Sequence, residues 1–284
     1  MQPLLPLLFV FLWSTGFIGA KFGLPYAEPL TFLLWRYGLV VVLMLLIVFL
    51  TRAPWPQAPR QWLHIGVTGV LVHGFYLGGV FMAIHHGLPA GLTALVVGLQ
   101  PLLTALAAGW WLGERVLPRQ WLGLGLGFIG VGLVVSGKLA GGAAVTGMFL
   151  PALVALAGIT LGTLYQKRFC ARFDLRTGAV IQFVPAALGT LPVALATETM
   201  VVDWQGEFVF ALMWLVLVLS IGAISLLNLL IRQGSAVHVA RLFYLTPPTT
   251  ALIAWGLFGE TLPPLALAGM GLAAAGVYLA RGKA

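Results

Sequence analysis

Residues 30–50 run the full width of a bilayer with Arg36 as their only charge, and stretches of this kind recur along the whole chain. A helix needs about 20 mostly apolar residues to cross the hydrocarbon of a membrane. Breaks fall where Pro, Gly and charged residues cluster. The spans bounded in this way are roughly residues 4–23, 30–50, 62–84, 89–112, 119–137, 146–167, 177–197, 208–231, 236–258 and 264–281. Connections between them are short, which leaves no room for an inserted soluble domain. The runs are also too long for barrel strands, which alternate over about ten residues. The expected fold class is an all-α membrane protein with ten transmembrane helices.

Composition agrees. Hydrophobic residues make up 61% of the 284 residues and charged residues 8%, against about 25% charged in an ordinary soluble domain. The net charge of +8 raises the question of nucleic acid. The basic residues sit singly in gaps between apolar runs, however, so no nucleic-acid partner is expected. Cys170 stands alone, which excludes a disulfide framework and a cysteine metal site; it reads as a bystander thiol. The N-terminal stretch lacks the basic region and small-residue cleavage site of a secretory signal, so it reads as a retained first span.

Orientation follows from the loop cations. With both termini cytoplasmic, Arg52, Arg60, Arg115, Arg119, Lys167, Arg168, Arg172, Arg176, Arg232, Arg281 and Lys283 all face the cytoplasm. Only Lys21 and Lys138 fall near the other side, while Arg36 and Arg241 lie within spans. The location this implies is a cell membrane crossed many times, with the lipid bilayer as the first partner.

The chain also writes one segment twice. "LQPLLTALAAGWWLGERVLP" at residues 99–118 returns as "LTPPTTALIAWGLFGETLPP" at residues 245–264, an offset of 146 residues without a gap. The offset extends further: Gly16 meets Gly162, Lys21 meets Lys167, Glu28 meets Asp174 and Thr31 meets Thr177. Residues 1–138 and 146–284 therefore read as two copies of a five-span unit. Five is odd, so the second copy enters the membrane inverted. Inverted halves that exchange conformations can open a central site first to one side and then to the other, as in secondary transporters.

The motifs that carry these features are "WSTGFIGAKFG" in the first span, "LLWRYGL" in the second, "GLQPLLTALAAGWWLGERV" at the fourth and fifth and "LTPPTTALIAWGLFGETL" at the ninth and tenth. With them the sequence resembles the drug/metabolite transporter superfamily, in its ten-helix, two-repeat branch of EamA-type permeases. That resemblance implies a bacterial inner-membrane permease that exports amino acids or related small metabolites. Substrate varies within such a family, so the fold does not fix it.

Polar side chains inside spans face protein or a water-filled path rather than lipid. This filter selects Trp13, Ser14, His73, Tyr76, Gln100, Thr160, Thr163, Ser220, Tyr244 and Thr246 as substrate-site candidates. Hydroxyls, an amide, an imidazole and aromatic faces suit a small zwitterion or neutral metabolite, whereas a multiply charged anion needs several Arg or Lys together. His73 has three readings: cavity lining, a neutral core histidine, or a proton relay with protons as candidate coupling ion. His85 and His86 read as interfacial, with no third ligand spaced to complete a metal site. Arg36 and Arg241 can snorkel along their stems and are placed first as structural or gate-anchoring charges. Glu114 and Glu260 are expected to fix loops, and Lys21 to reach headgroups. Pro101, Pro247 and Pro248 are expected to kink helices four and nine beside the cavity, as pivots or as a fixed shape. Small pairs at Gly123 and Gly127, and at Gly269 and Ala273, allow close helix approach, within a monomer or in a homodimer.

Rival functions are an intramembrane enzyme, a passive scaffold and a carrier of sugar-phosphates or nucleotide-sugars. An enzyme would use Ser14 or Ser220 with His73 as base, but "WSTG" is not a GxSxG elbow. A sugar-phosphate carrier lacks its basic cluster at mid-span. No GxxxxGK[ST] loop occurs, so the chain is not expected to use a nucleotide, and neither an enzymatic activity nor a cofactor is expected.

Overall fold

The computed structural model describes residues 4–104, 107, 118, 121–123, 125–126, 129–130, 143–170, 173–223, 226, 245–260 and 264–279. The described residues are mainly helical and form no strand beyond an isolated antiparallel bridge between Ala27 and Val202. The helices are α1 (Leu4–Gly23), α2 (Pro29–Thr51), α3 (Pro59–His85), α4 (Ala90–Thr104), α5 (Ala143–Phe169), α6 (Leu175–Thr197), α7 (Gly206–Ala223), α8 (Thr246–Phe258) and α9 (Pro264–Leu279). Six of them, α1 to α3 and α5 to α7, are long and apolar enough to cross a membrane. The ends of α1, α2, α3, α5 and α6 fall within a few residues of the expected spans because Pro, Gly and charged residues set both, while α7 is described without interruption only to Ala223, short of the expected end at residue 231. Most of the fifth expected span, the start of the ninth, and Glu114, Arg241 and Tyr244 lie outside the described residues.

Large apolar side chains stand outward at mid-helix: Val42 is 63% exposed and Leu188 65%. A soluble protein does not leave such a surface to water, and lipid is its natural solvent. Indoles mark the rims. Trp55 stacks on Trp62 at 5.3 Å, and Trp35 meets Trp204 edge-on at 4.9 Å; paired rings of this kind belong to the membrane–water boundary.

Apolar burial drives little association between helices in lipid, so close backbone approach takes over. α3 packs on α5 in this way. A Cβ placed on Gly79 would overlap the Pro151 carbonyl oxygen and sit 2.8 Å from the Ala155 backbone nitrogen. Gly259 has a different role: its φ of +62° ends α8 in the left-handed region that favours glycine.

The loops between α1 and α2 and between α6 and α7 are tied together. Glu198, at the end of α6, accepts hydrogen bonds from the Leu30 and Thr31 backbone N–H groups at 2.8 and 2.7 Å. It thereby caps α2 from outside. Thr199 donates its N–H to Glu28 at 2.6 Å, and the Asp203 N–H reaches the Tyr26 carbonyl at 2.8 Å.

The hydrogen bond from the Thr199 hydroxyl is the main reason the Glu28 carboxyl is held below the usual carboxylate range. Because the folded value is the lower one, this tie stabilises the fold above the ordinary carboxylate pKa. It is lost as pH falls through the depressed value. Glu28→Gln is expected to flatten the acid limb of a thermal-stability profile in detergent, and an unchanged acid limb would contradict this assignment. At the other end of the helices, Asp174 caps α6 by accepting from the Arg176 N–H at 2.9 Å and pairs with the same guanidinium at 2.6 Å. The hydrogen bond from Arg176 lowers the Asp174 carboxyl in turn.

Candidate functional site

A cavity of about 100 Å³ lies among α1, α2, α3, α5, α6 and α7, with Trp13, Gly16, Phe17, Arg36, Val72, His73, Tyr76, Leu77, Val80, Phe81, Ile159, Phe183 and Leu219 as its wall. That volume holds several waters or part of a small organic molecule. Most of these residues sit near the middle of their helices.

Two irregular stretches shape the wall. α3 is π-helical over Val70–Leu77, and α7 is π-helical over Trp214–Ala223. A π turn widens the helix by one residue and re-aims the side chains on it, which is why such turns recur at functional sites. The first carries His73 and Tyr76 into the wall, and the second carries Leu219. The 146-residue sequence offset maps Val70–Leu77 onto residues 216–223, inside the second stretch.

His73 stacks on Phe183 with ring centres 3.9 Å apart, and its Nε2 faces the Gln182 side-chain oxygen at 3.3 Å. Its carbonyl accepts the Tyr37 hydroxyl at 2.5 Å. The Nδ1 atom is buried without a hydrogen-bond partner. Gln182 is also the position the 146-residue offset pairs with Arg36.

Arg36 belongs to the buried stripe of α2, with Leu33, Tyr37, Val40 and Met44. It is only 7% exposed and donates from Nη2 to the Ser220 hydroxyl at 3.1 Å. Its Nε is buried and has no partner. The guanidinium thus faces the cavity and does not reach out of the helix bundle.

Of the residues selected by sequence, Trp13, His73 and Tyr76 line the cavity, and Ser220 touches it through Arg36. The other described candidates sit elsewhere. Ser14 donates to the Val10 carbonyl at 2.8 Å, and Thr160 to the Leu156 carbonyl at 2.7 Å. Gln100 forms a separate cluster with Thr163 at 3.3 Å and Thr104 at 3.4 Å. The Thr246 hydroxyl is buried without a partner. Tyr244 and Arg241 lie outside the described residues.

Pro101 follows a break in α4, and Pro247 and Pro248 open α8. Regular helix in α4 ends at Val97, and Gly98 and Leu99 form a turn just before Pro101. Pro247 and Pro248 stand in the first turn of α8, where a missing N–H costs nothing. The turn in α4 and the start of α8 touch: a Cβ on Gly98 would lie 3.1 Å from the Pro247 ring.

Lys21 does not end at headgroups; it forms an ion pair with Glu260 and lies over the Phe258 ring at 4.8 Å. Glu260 also accepts the Ala90 N–H at 3.3 Å, so it fixes the start of α4. The filter for polar residues could not find Phe17, Val80, Phe81, Ile159, Phe183 or Leu219, because an apolar wall looks like any other part of a span. Among the described residues no group of three or more His, Cys, Asp or Glu could hold a metal ion.

The sequence matches the EamA-like transporter family over residues 3–136 and 146–282. The chain belongs to that family. Among its relatives, the uncharacterized transporter YvbV of Bacillus subtilis is 28% identical over 96% of this chain and 89% of its own length. A probable amino-acid metabolite efflux pump of Salmonella typhimurium is 28% identical over 97% of this chain and 93% of its own. The uncharacterized inner membrane transporter YedA of Escherichia coli is 25% identical over 94% and 86%. The chain also shares its fold with a solved crystal structure of a protein, at a TM-score of 0.64 and 20% identity over 98% of this chain and 95% of that one.

This EamA-family protein is a multi-pass inner-membrane transporter for a small molecule and not an enzyme. The geometry around the candidate nucleophiles agrees with that assignment. Ser14 and Ser220 give their protons to the backbone carbonyls of Val10 and Leu215, and the His73 imidazole faces Gln182.

Proposed function

We propose that this EamA-family transporter is a secondary exporter of amino acids or related small metabolites that works by alternating access. The observation that carries the reading is the make-up of the cavity wall. Its residues include pairs separated by the 146-residue offset, Trp13 with Ile159 and His73 with Leu219. The wall takes ten residues from the first copy and three from the second, and a central site to which both copies contribute is what exchange of conformation between inverted halves requires. The paired π-helical stretches support the same reading.

On this reading residues 1–138 and 146–284 are two inverted five-helix halves, giving ten helices with both termini cytoplasmic. Lys21 and Glu260, Glu28 and Thr199, and Thr31 and Glu198 then link the two halves at the outer face. The conformation is one closed to the outside, and these links separate when the carrier opens outward. The name of the Salmonella relative, a probable amino-acid metabolite efflux pump, supports a cargo derived from amino acids.

The test is flux in proteoliposomes across a panel of neutral amino acids and their acyl and keto derivatives, with and without a pH gradient. Saturable flux of at least one member is expected. Tyr76→Ala and His73→Ala are each expected to reduce it by about tenfold or more, since each removes a wall group that a bound molecule would contact. Absence of flux across the panel, or wild-type rates in both variants, would overturn the reading. Flux indifferent to the pH gradient would remove the proton as coupling ion.

A further inference from the structure

We propose that Arg36 is the docking point for a substrate carboxylate, so that the cargo is an apolar-bodied monocarboxylate without a free ammonium group. The inference rests on the transporter reading above and narrows its substrate class.

Arg36 is more than nine-tenths buried and lines the cavity, and its Nε is buried with no hydrogen-bond partner. Nη2 reaches only the neutral Ser220 hydroxyl. A guanidinium in such a place calls for an anion, because a buried charge without a partner is strongly disfavoured. Among the described residues no carboxylate bonds it. Six of the seven acids are described, and Glu28, Asp174, Glu198, Asp203, Glu207 and Glu260 all lie at helix ends or in loops. A ligand carboxylate suits these donors, since two of its oxygens can accept from the planar fork on arginine.

The rest of the wall defines the body of the ligand. Trp13, Phe17, Tyr76, Phe81, Phe183 and Leu219 are aromatic or aliphatic, suited to an apolar side chain of aromatic size. One guanidinium matches one negative charge, which disfavours a phosphate ester or a dicarboxylate. No described acid lines the cavity to receive an ammonium group. The chemistry points to a deaminated or N-acylated amino-acid derivative ahead of the free amino acid.

Binding tests this independently of flux. Purified full-length protein in detergent is titrated with 3-phenylpropionate, 3-phenylpropionamide, N-acetylphenylalanine and phenylalanine, with thermal stabilisation as readout and isothermal calorimetry for Kd. The carboxylates are expected to bind about ten- to hundredfold more tightly than the amide, the range of a charge-assisted hydrogen bond. Arg36→Met is expected to fold, because an apolar side chain of similar length replaces a buried charge, and to lose that preference. Arg36→Lys is expected to keep part of it.

Equal binding of acid and amide, a preference that survives in Arg36→Met, or no binding of any carboxylate overturns the proposal. Phenylalanine binding as tightly as 3-phenylpropionate overturns the exclusion of the ammonium group. Flux without the carboxylate preference refutes the Arg36 assignment alone, whereas the preference without flux refutes the transport reading and leaves the assignment standing.

Discussion

Gly79→Ala is expected to destabilise the folded transporter by about 3 kcal/mol or more, while Gly78→Ala, one residue away, leaves it unchanged or slightly more stable. The difference lies in what the added carbon meets. At Gly79 it overlaps Pro151 and Ala155 backbone atoms of α5, while at Gly78 nothing lies within 4 Å. Overpacking a close interface costs about 1–3 kcal/mol when side chains can shift, and more when they cannot; the obstacle here is main chain. Helix propensity works in the opposite direction at both positions, by up to about 1 kcal/mol, and cannot rescue Gly79. Thermal unfolding of the two variants in the same detergent decides the matter. Similar midpoints for both would show that α3 and α5 are not packed as described.

If the carrier works by alternating access as proposed, Glu260→Gln is expected to shift it toward its outward-open state about five- to thirtyfold. The side chain of Glu260 is 9% exposed and that of Lys21 30%, so their ion pair is only partly screened. A net contribution of about 1–2 kcal/mol is reasonable for such a charge-assisted pair, and it acts only in the conformation that holds the pair together. Its loss therefore moves the equilibrium by the corresponding factor. Glutamine keeps the size of the side chain and can still accept from the Ala90 N–H, which isolates the charge. Labelling from the outside at Ile159→Cys, in a background with Cys170→Ser, should speed up by that factor. An unchanged rate would place no closing role on the pair.

Much of the fold was legible in the sequence because lipid imposes simple rules. Apolar runs must reach about 20 residues, and Pro, Gly and charges end them, so α1, α2, α3, α5 and α6 fall close to their expected ends. The inner and outer faces of each helix were harder to tell apart. On α2, Leu33, Val40 and Met44 are buried while Val42 and Leu46 are exposed, yet all five are apolar. In lipid a helix is hydrophobic all round, and the periodicity that marks a core face in water is lost.

The site was legible only where polarity marked it. Trp13, His73 and Tyr76 stood out, whereas Ile159 and Leu219 did not. Ser14 and Thr160 satisfied the same filter, but a hydroxyl on a helix can bond the carbonyl four residues back and need not face a cavity. Arg36 lies close enough to a helix end to permit snorkelling, and only the packing of α2 against α7 shows that it turns inward to Ser220. The π-helical turns that aim His73 and Leu219 have no signature in residue type at all. Pro101 was a good marker of a break, but the turn itself forms at Gly98 and Leu99, because Pro101 has no N–H for the Val97 carbonyl and its ring crowds that carbonyl.

The central claim is that one cavity serves both sides of the membrane in turn. The direct measurement is labelling of Ile159→Cys, with Cys170→Ser, in oriented membrane vesicles by an impermeant thiol reagent added to one side or the other. The account predicts reaction from both sides, with the two rates changing in opposite directions when Glu260→Gln is added. Reaction from one side only, in both backgrounds, would contradict it.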